Sequence, residues 1–306
     1  MKVSRRQSDK KKQKRQAKRS KSKMFKLKSW VREDALYWNR LSSNPKAIDL
    51  LAKNPGNIMW SELSSNPAAI HLFEANSDKV WWNKICKLPE AIGVLERNLD
   101  KIDWPSLCTN PAAIPLLERF PDEIVWWALS ANPAAIHLLE ANPGKINWEN
   151  LSANPAAIHL LEANLDKIDW FWLSSNPAAI KILEANQNKI DWRELSENPN
   201  AIPLLQANPD KIVWYTLCIN PGAIPLLETL CDDEKCLREW MCDNPAAIHL
   251  IEKLPRKNNF RLSSNPEIFE YDYEGMKQER SELFAELVQA QFHPRNIERF
   301  EGWALD

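Results

Sequence analysis

Residues 142–163 read NPGKINWENLSANPAAIHLLEA, and their interpretation decides the fold. Asn is among the best helix N-cap residues, and Pro suits the first helical position, where its missing N–H would go unpaired anyway. Asn142-Pro143 and Asn154-Pro155 therefore predict two helix starts twelve residues apart. After Asn154-Pro155 come Ala157, Ile158, Leu160 and Leu161, an apolar face of helical spacing. Before it lie Ile146, Trp148 and Leu151, and the Trp-to-Leu interval of three is again helical. The stretch is two helices of roughly two turns each, too short to be stable alone in water.

The same pattern extends in both directions. Trp38, Trp60, Trp82, Trp104, Trp126, Trp148, Trp170, Trp192 and Trp214 recur every 22 residues. Each stands six residues before the position held by Asn44, Asn66, Leu88, Asn110, Asn132, Asn154, Asn176, Asn198 and Asn220. A fixed period of this length marks a stacked repeat array, in which each unit buries its apolar face against the next. The Trp, which buries on the order of 150–250 Å², is expected to be the buried spine. About ten stacked units would build a curved body roughly 90–100 Å long. Leucine-rich repeats also carry Leu-Ser-x-Asn strings, but they need alternating apolar residues before the Asn, and here a Pro follows it. Pro115, Pro203 and Pro225 fall at the fifth position of the second helix, where proline removes an intrahelical bond. In those units the Asn-Pro turn is expected to be a separate 3₁₀ step before a helix that starts at the second proline.

The expected fold is an all-α solenoid over 29–268, with a disordered basic arm at 1–28 and a helical cap at 269–306. Beyond Asn220 the register loosens, with Asn244 following at 24 residues and Asn265 at 21. Residues 276–291 predict a longer amphipathic helix with Leu283, Phe284, Leu287 and Val288 on one side. His293-Pro294 opens a short final helix containing Ile297, Phe300 and Trp303. Terminal repeats need a cap over the exposed end of the core, and this segment is assigned that role.

The net charge of −1 conceals a division. Residues 1–28 hold 14 Lys or Arg against one Asp, and the remainder holds 26 against 40 Asp or Glu. The arm has too few apolar residues to offset the entropy of ordering its backbone. Arg5-Arg6 followed by Lys10, Lys11, Lys12, Lys14 and Arg15 suits a nuclear-import signal or a phosphate-contacting arm acting by counterion release, and its bland reading is a solvated tail. Six Cys without a C-x-x-C spacing point to reduced thiols in an intracellular compartment, nucleus or cytoplasm. No apolar stretch approaches the length of a membrane span, so no membrane partner is expected.

The strings NPAAIHLLEANLDKIDWFWLSSNPAAI (154–180) and NPDKIVWYTL (208–217) resemble the short Asn-Pro/Trp repeats of proteins of giant nucleocytoplasmic DNA viruses of protists. The ending FHPRNIERF (292–300) is similar to a segment that closes repeat proteins there. The resemblance covers about residues 32–303 and implies a helical repeat protein, located in a host cell, with no catalytic residues to carry over. The basic arm is not part of that pattern.

Nothing in the sequence assembles a catalytic, metal or cofactor site. His71, His137, His159 and His249 share one repeat position that is Asp, Pro or Lys elsewhere, which marks it as solvent-facing. Units stacked about 8–10 Å apart hold such imidazoles too far from one another to share an ion. Cys108 and Cys218 replace the Ser of Leu-Ser and read as inert substitutes. More informative are the two positions after the ladder Trp, small or charged in several units but Trp127, Phe171-Trp172 and Tyr215 in others. These aromatics are the candidate anchors for a protein partner. Their alternative role is extra packing against the next helix. The expected function is a non-enzymatic interaction scaffold. The alternative is a nucleic-acid-associated protein that contacts phosphates through its arm.

Overall fold

The computed structural model describes residues 24–230, 238–254 and 257–291. Trp30–Ile268 form one compact unit, and the segments flanking it on both sides group into a second. The first is an all-α repeat array, as the periodicity requires.

One unit shows how the sequence sets the local structure. Asn154 Oδ1 accepts the N–H of Ala156 at 3.0 Å, capping a 3₁₀ turn at Pro155–Ala157. The α-helix Ile158–Glu162 follows directly. Every rung from Asn44 to Asn244 that keeps both Asn and a described 3₁₀ turn repeats this step, as at Pro45–Ala47 and Pro111–Ala113. The separate turn expected only for the proline-bearing units is thus the general rule. Pro115 and Pro203 sit in the first turn of Ile114–Arg119 and Ile202–Gln206, where no intrahelical bond is lost.

The other Asn does not open a helix as expected. Asn142 Nδ2 donates to the Leu138 carbonyl at 2.9 Å and closes Ile136–Ala141, satisfying a last-turn acceptor that has no intrahelical partner. The chain then crosses a 3₁₀ turn at Pro143–Lys145, and the Trp helix begins only at Trp148. Its cap is Asn147, whose Oδ1 accepts the Asn150 N–H at 2.9 Å. Asp103, Asp169 and Asp191 cap the corresponding helices elsewhere.

Neighbouring units are joined by a buried polar ladder. Asn154 Nδ2 donates to the carbonyls of Ser130 and Asn132 at 3.0 and 3.1 Å, so the amide uses both donor hydrogens on the preceding unit. Ser152 Oγ donates to Trp148 O at 2.7 Å and accepts the Asp169 N–H of the following unit at 3.0 Å. Ser and Asn are fully buried with their hydrogen bonds made, which is the condition for polar side chains to occupy a core. The Leu151, Ala157 and Leu161 side chains fill the space around them.

The ladder Trp residues are not the buried spine. All nine are half-buried, while the enclosed positions belong to Leu, Ala, Ser and Asn. Residues that meet across the narrow interval between short helices must be small or compact, and an indole is displaced to the edge. There it is covered by a lysine from the next unit: the ammoniums of Lys145, Lys167, Lys189 and Lys211 lie 4.5, 4.6, 4.5 and 4.6 Å from the ring centroids of Trp126, Trp148, Trp170 and Trp192. The lysine stem shields the apolar face and its charge meets the ring's negative potential.

The array is closed rather than open. Asn44 in the first rung donates to the carbonyls of Ser263 and Asn265 in the last, at 3.2 and 3.0 Å. The Tyr37 N–H donates to Ser263 Oγ at 2.9 Å, and Lys46 pairs with Glu267 at 2.7 Å. The asparagine and serine bonds are the ones that join consecutive units, made here between the two ends of the array, and the ion pair is particular to the closure. Rungs at 44, 66, 88, 110, 132, 154, 176, 198, 220, 244 and 265 make eleven units, and the loosened register at Asn244 and Asn265 still supplies full rungs. Successive Trp helices and successive Pro turns approach each other more closely than successive Ile helices do, which places the Ile helices on the outer rim.

A closed array has no open end to seal. In the second unit, Phe25–Leu27 pairs antiparallel with Phe269–Tyr271, with Phe25 opposite Tyr271 and Leu27 opposite Phe269. Three residues assigned to the disordered arm are therefore a strand, because apolar side chains find a partner far along the chain. The expected 276–291 helix spans Tyr273–Gln291, and its Leu283, Phe284 and Val288 are exposed. The final helix expected after His293 lies outside the described residues.

Candidate interaction surface

The two faces of a unit differ in what they offer. On the Ile helices the exposed side chains form pairs between units: His137 with Glu118 at 3.4 Å, His159 with Glu140 at 2.8 Å, and His249 with Glu228 at 3.1 Å. Arg97 with Glu74 and Arg119 with Glu96 continue the series. Exposed pairs of this kind contribute little to stability.

On the Trp helices the residue after each ladder Trp forms a row of different character. From the fifth unit to the ninth it is Trp127, Glu149, Phe171, Arg193 and Tyr215. Trp127 is 55% exposed and Phe171 42%, and Trp172, one residue on, is 38% exposed. Phe171 and Trp172 meet edge to face at 5.1 Å. The Trp172 indole N–H donates to Glu149 Oε1 at 3.3 Å, and the Trp172 backbone N–H is held by Asp169 Oδ1 at 3.1 Å. The ring is thus fixed at its polar edge and by Phe171, and remains partly exposed. Asn150 Nδ2 donates to Trp127 O at 3.0 Å, tying the row together across units. Tyr215 differs: it is half-buried, 5.8 Å from the Trp240 ring and 5.6 Å from the Arg193 guanidinium. The structure therefore pairs Phe171 with Trp172 as exposed rings, leaves Trp127 exposed two units earlier on the same row, and folds Tyr215 into its neighbours. Arg5, Arg6, Lys10, Lys11, Lys12, Lys14 and Arg15 lie outside the described residues.

A second apolar row escaped the sequence. Tyr37, Met59 and Trp81 precede the ladder Trp in the first three units and are 51, 47 and 54% exposed. Tyr37 meets Phe260 edge to face at 5.4 Å across the closure. The available signal was the position itself, since Asp or Asn there caps the Trp helix in four later units. A large apolar side chain at a capping position gives up a hydrogen bond.

Among the described residues the thiols offer no reactive centre. Cys86, Cys108, Cys218 and Cys242 are buried at the ladder Ser position. Sγ of Cys86 accepts the Asp103 N–H and Sγ of Cys108 the Val125 N–H, as the Ser hydroxyl does elsewhere. Burial pushes the thiols of Cys86 and Cys218 up to about 11, so the nucleophilic thiolate is scarce at neutral pH. Glu194 is raised by burial and by the nearby Glu197 and Asp191 carboxylates, with Arg193 opposing. Comparison with protein-family models, curated proteins and solved structures finds no match.

Proposed function

We propose that this chain is a non-enzymatic scaffold whose closed repeat array presents a docking surface for another protein. The observation that supports it is the exposure of Trp127, Phe171 and Trp172 on two alternate units, at positions that are polar, small or charged in most of the others. Large aromatics bring much contact area at low entropic cost, and they dominate binding where they cluster. Trp127→Ala with Trp172→Ala is expected to abolish partner capture from native-cell extract with the melting temperature unchanged. An equal loss of stability would place these rings in the core and remove the reading.

The basic arm directs the scaffold to the nucleus. Fusion of residues 1–28 to a reporter is expected to concentrate it there, and a diffuse reporter would argue against a signal. The alternative, a nucleic-acid-associated protein, draws on the same Lys and Arg residues. It requires retention on nucleic acid that falls steeply with salt and disappears on deletion of residues 1–28. The resemblance to giant-virus repeat proteins belongs to this proposal, with the host cell as the setting. Among the described residues no helix is long and apolar enough to cross a membrane.

A further inference from the structure

The exposed aromatic group lies in acidic surroundings. The Trp helices Trp126–Leu129, Trp148–Ser152, Trp170–Ser175 and Trp192–Glu197 carry Glu149, Glu194 and Glu197, and two of them are capped by Asp169 and Asp191. Against these five carboxylates the same helices hold one guanidinium, that of Arg193, which lies 5.6 Å over the Tyr215 ring. The lysines of these units are engaged with the ladder rings, their ammoniums over Trp126, Trp148, Trp170 and Trp192.

One carboxylate touches the aromatic pair, and the repeat places a second in the next unit. Glu149 already accepts the Trp172 indole N–H through Oε1, and an ionised carboxylate has capacity for further donors. Glu194 takes the repeat position of Trp172 in the following unit, so one step along the array leads from a partly exposed indole to a carboxylate. A flat aromatic face beside carboxylates matches an arginine side chain, which stacks through its plane and donates through its edge. The ring would take the guanidinium face, and Glu149 and Glu194 its N–H groups.

We propose that the segment docking on Trp127, Phe171 and Trp172 is a basic one, with an arginine seated on the Phe171–Trp172 pair between Glu149 and Glu194. Glu194 is raised first by burial and then by Glu197 and Asp191, and a cation seated beside it offsets the part that comes from those carboxylates. The inference rests on the docking surface proposed above and specifies its ligand.

Fluorescence anisotropy with three labelled peptides of equal length, alternating Leu with Arg, Gln or Glu, tests it on the full chain. The Arg peptide is expected to bind at least about tenfold more tightly than the Gln peptide and to weaken as salt is raised. Glu149→Gln with Glu194→Gln should lower Arg-peptide affinity about tenfold without a change in melting temperature. Phe171→Ala should lower it as well, with Glu149 still present. If the Gln or Glu peptide binds as well as the Arg peptide and still depends on Phe171, the docking surface stands and the basic partner is overturned. If the Arg peptide binds but ignores both substitutions, attraction to the acidic body explains it and the site is overturned. Failure of every peptide to bind also overturns the proposal.

Discussion

The rungs at Asn154 and Leu88 occupy one position of the same ladder and differ in what they give to the preceding unit. Asn154 donates twice, to Ser130 O and Asn132 O, and caps its own turn through Ala156 N. Leu88 donates nothing and caps nothing, yet the turn Pro89–Ala91 forms after it and Ala91 is fully buried. The Ser-type bond to the next unit is unaffected, since Ser64 Oγ still accepts the Trp81 N–H at 2.9 Å. Packing and the hydroxyl bond are sufficient to form a rung, and the asparagine adds strength and fixes the spacing. In a closed array a weak rung is also held by its ten neighbours, because opening one interface of a ring strains the rest.

That contrast is sharpened most by removing a rung that exists. Asn154→Leu leaves two buried carbonyls without their donor, and it is expected to lower unfolding stability by about 3–5 kcal/mol, read by denaturant titration. A loss below about 1 kcal/mol would make Leu88 the ordinary case and the hydrogen bonds incidental. Trp148→Ala comes next, at about 2–3 kcal/mol, below the cost for a fully buried Trp because the ring is half-exposed and part of its cover is a lysine. Restoring the missing rung has the smallest effect and the opposite sign. Leu88→Asn is expected to stabilise by about 1–2 kcal/mol, and a destabilised variant would show that the third unit has repacked around leucine.

Much of the unit was legible because its signals are local. Asn-Pro, the Trp-to-Leu interval and the Ile face each act over a few residues, and they fixed where the Ile helices begin. Asn142 was misassigned because an Asn before a Pro can end one helix as well as begin another. Only the carbonyl it reaches, that of Leu138, distinguishes the two. The Trp was placed in the core on its size, and the lysine that covers it nineteen residues later has no motif that reports a stacking partner. Of the candidate anchors, Trp127, Phe171 and Trp172 stood out by breaking the repeat, whereas Tyr215 broke it equally and proved half-buried. The difference lies in Trp240, a residue outside the regular register. Closure was invisible for a deeper reason. It depends on the rotation between units accumulating to a full circle, on average about 33° for each of eleven, and no residue encodes such an angle by itself.

Closure is the central claim, and a distance between the two ends tests it. Spin labels at Lys46→Cys and Glu267→Cys, in the first and last units, can be compared with labels at Ala134→Cys and Ala156→Cys, the same repeat positions in adjacent interior units. With Cys231 and Cys236 changed to Ser, the remaining native thiols, Cys86, Cys108, Cys218 and Cys242, are buried and raised by that burial, which makes them poor competitors for the label. A closed ring gives both pairs the same short distance. An open array would separate the first pair by roughly 90–100 Å while leaving the interior pair close, and that result would contradict the ring.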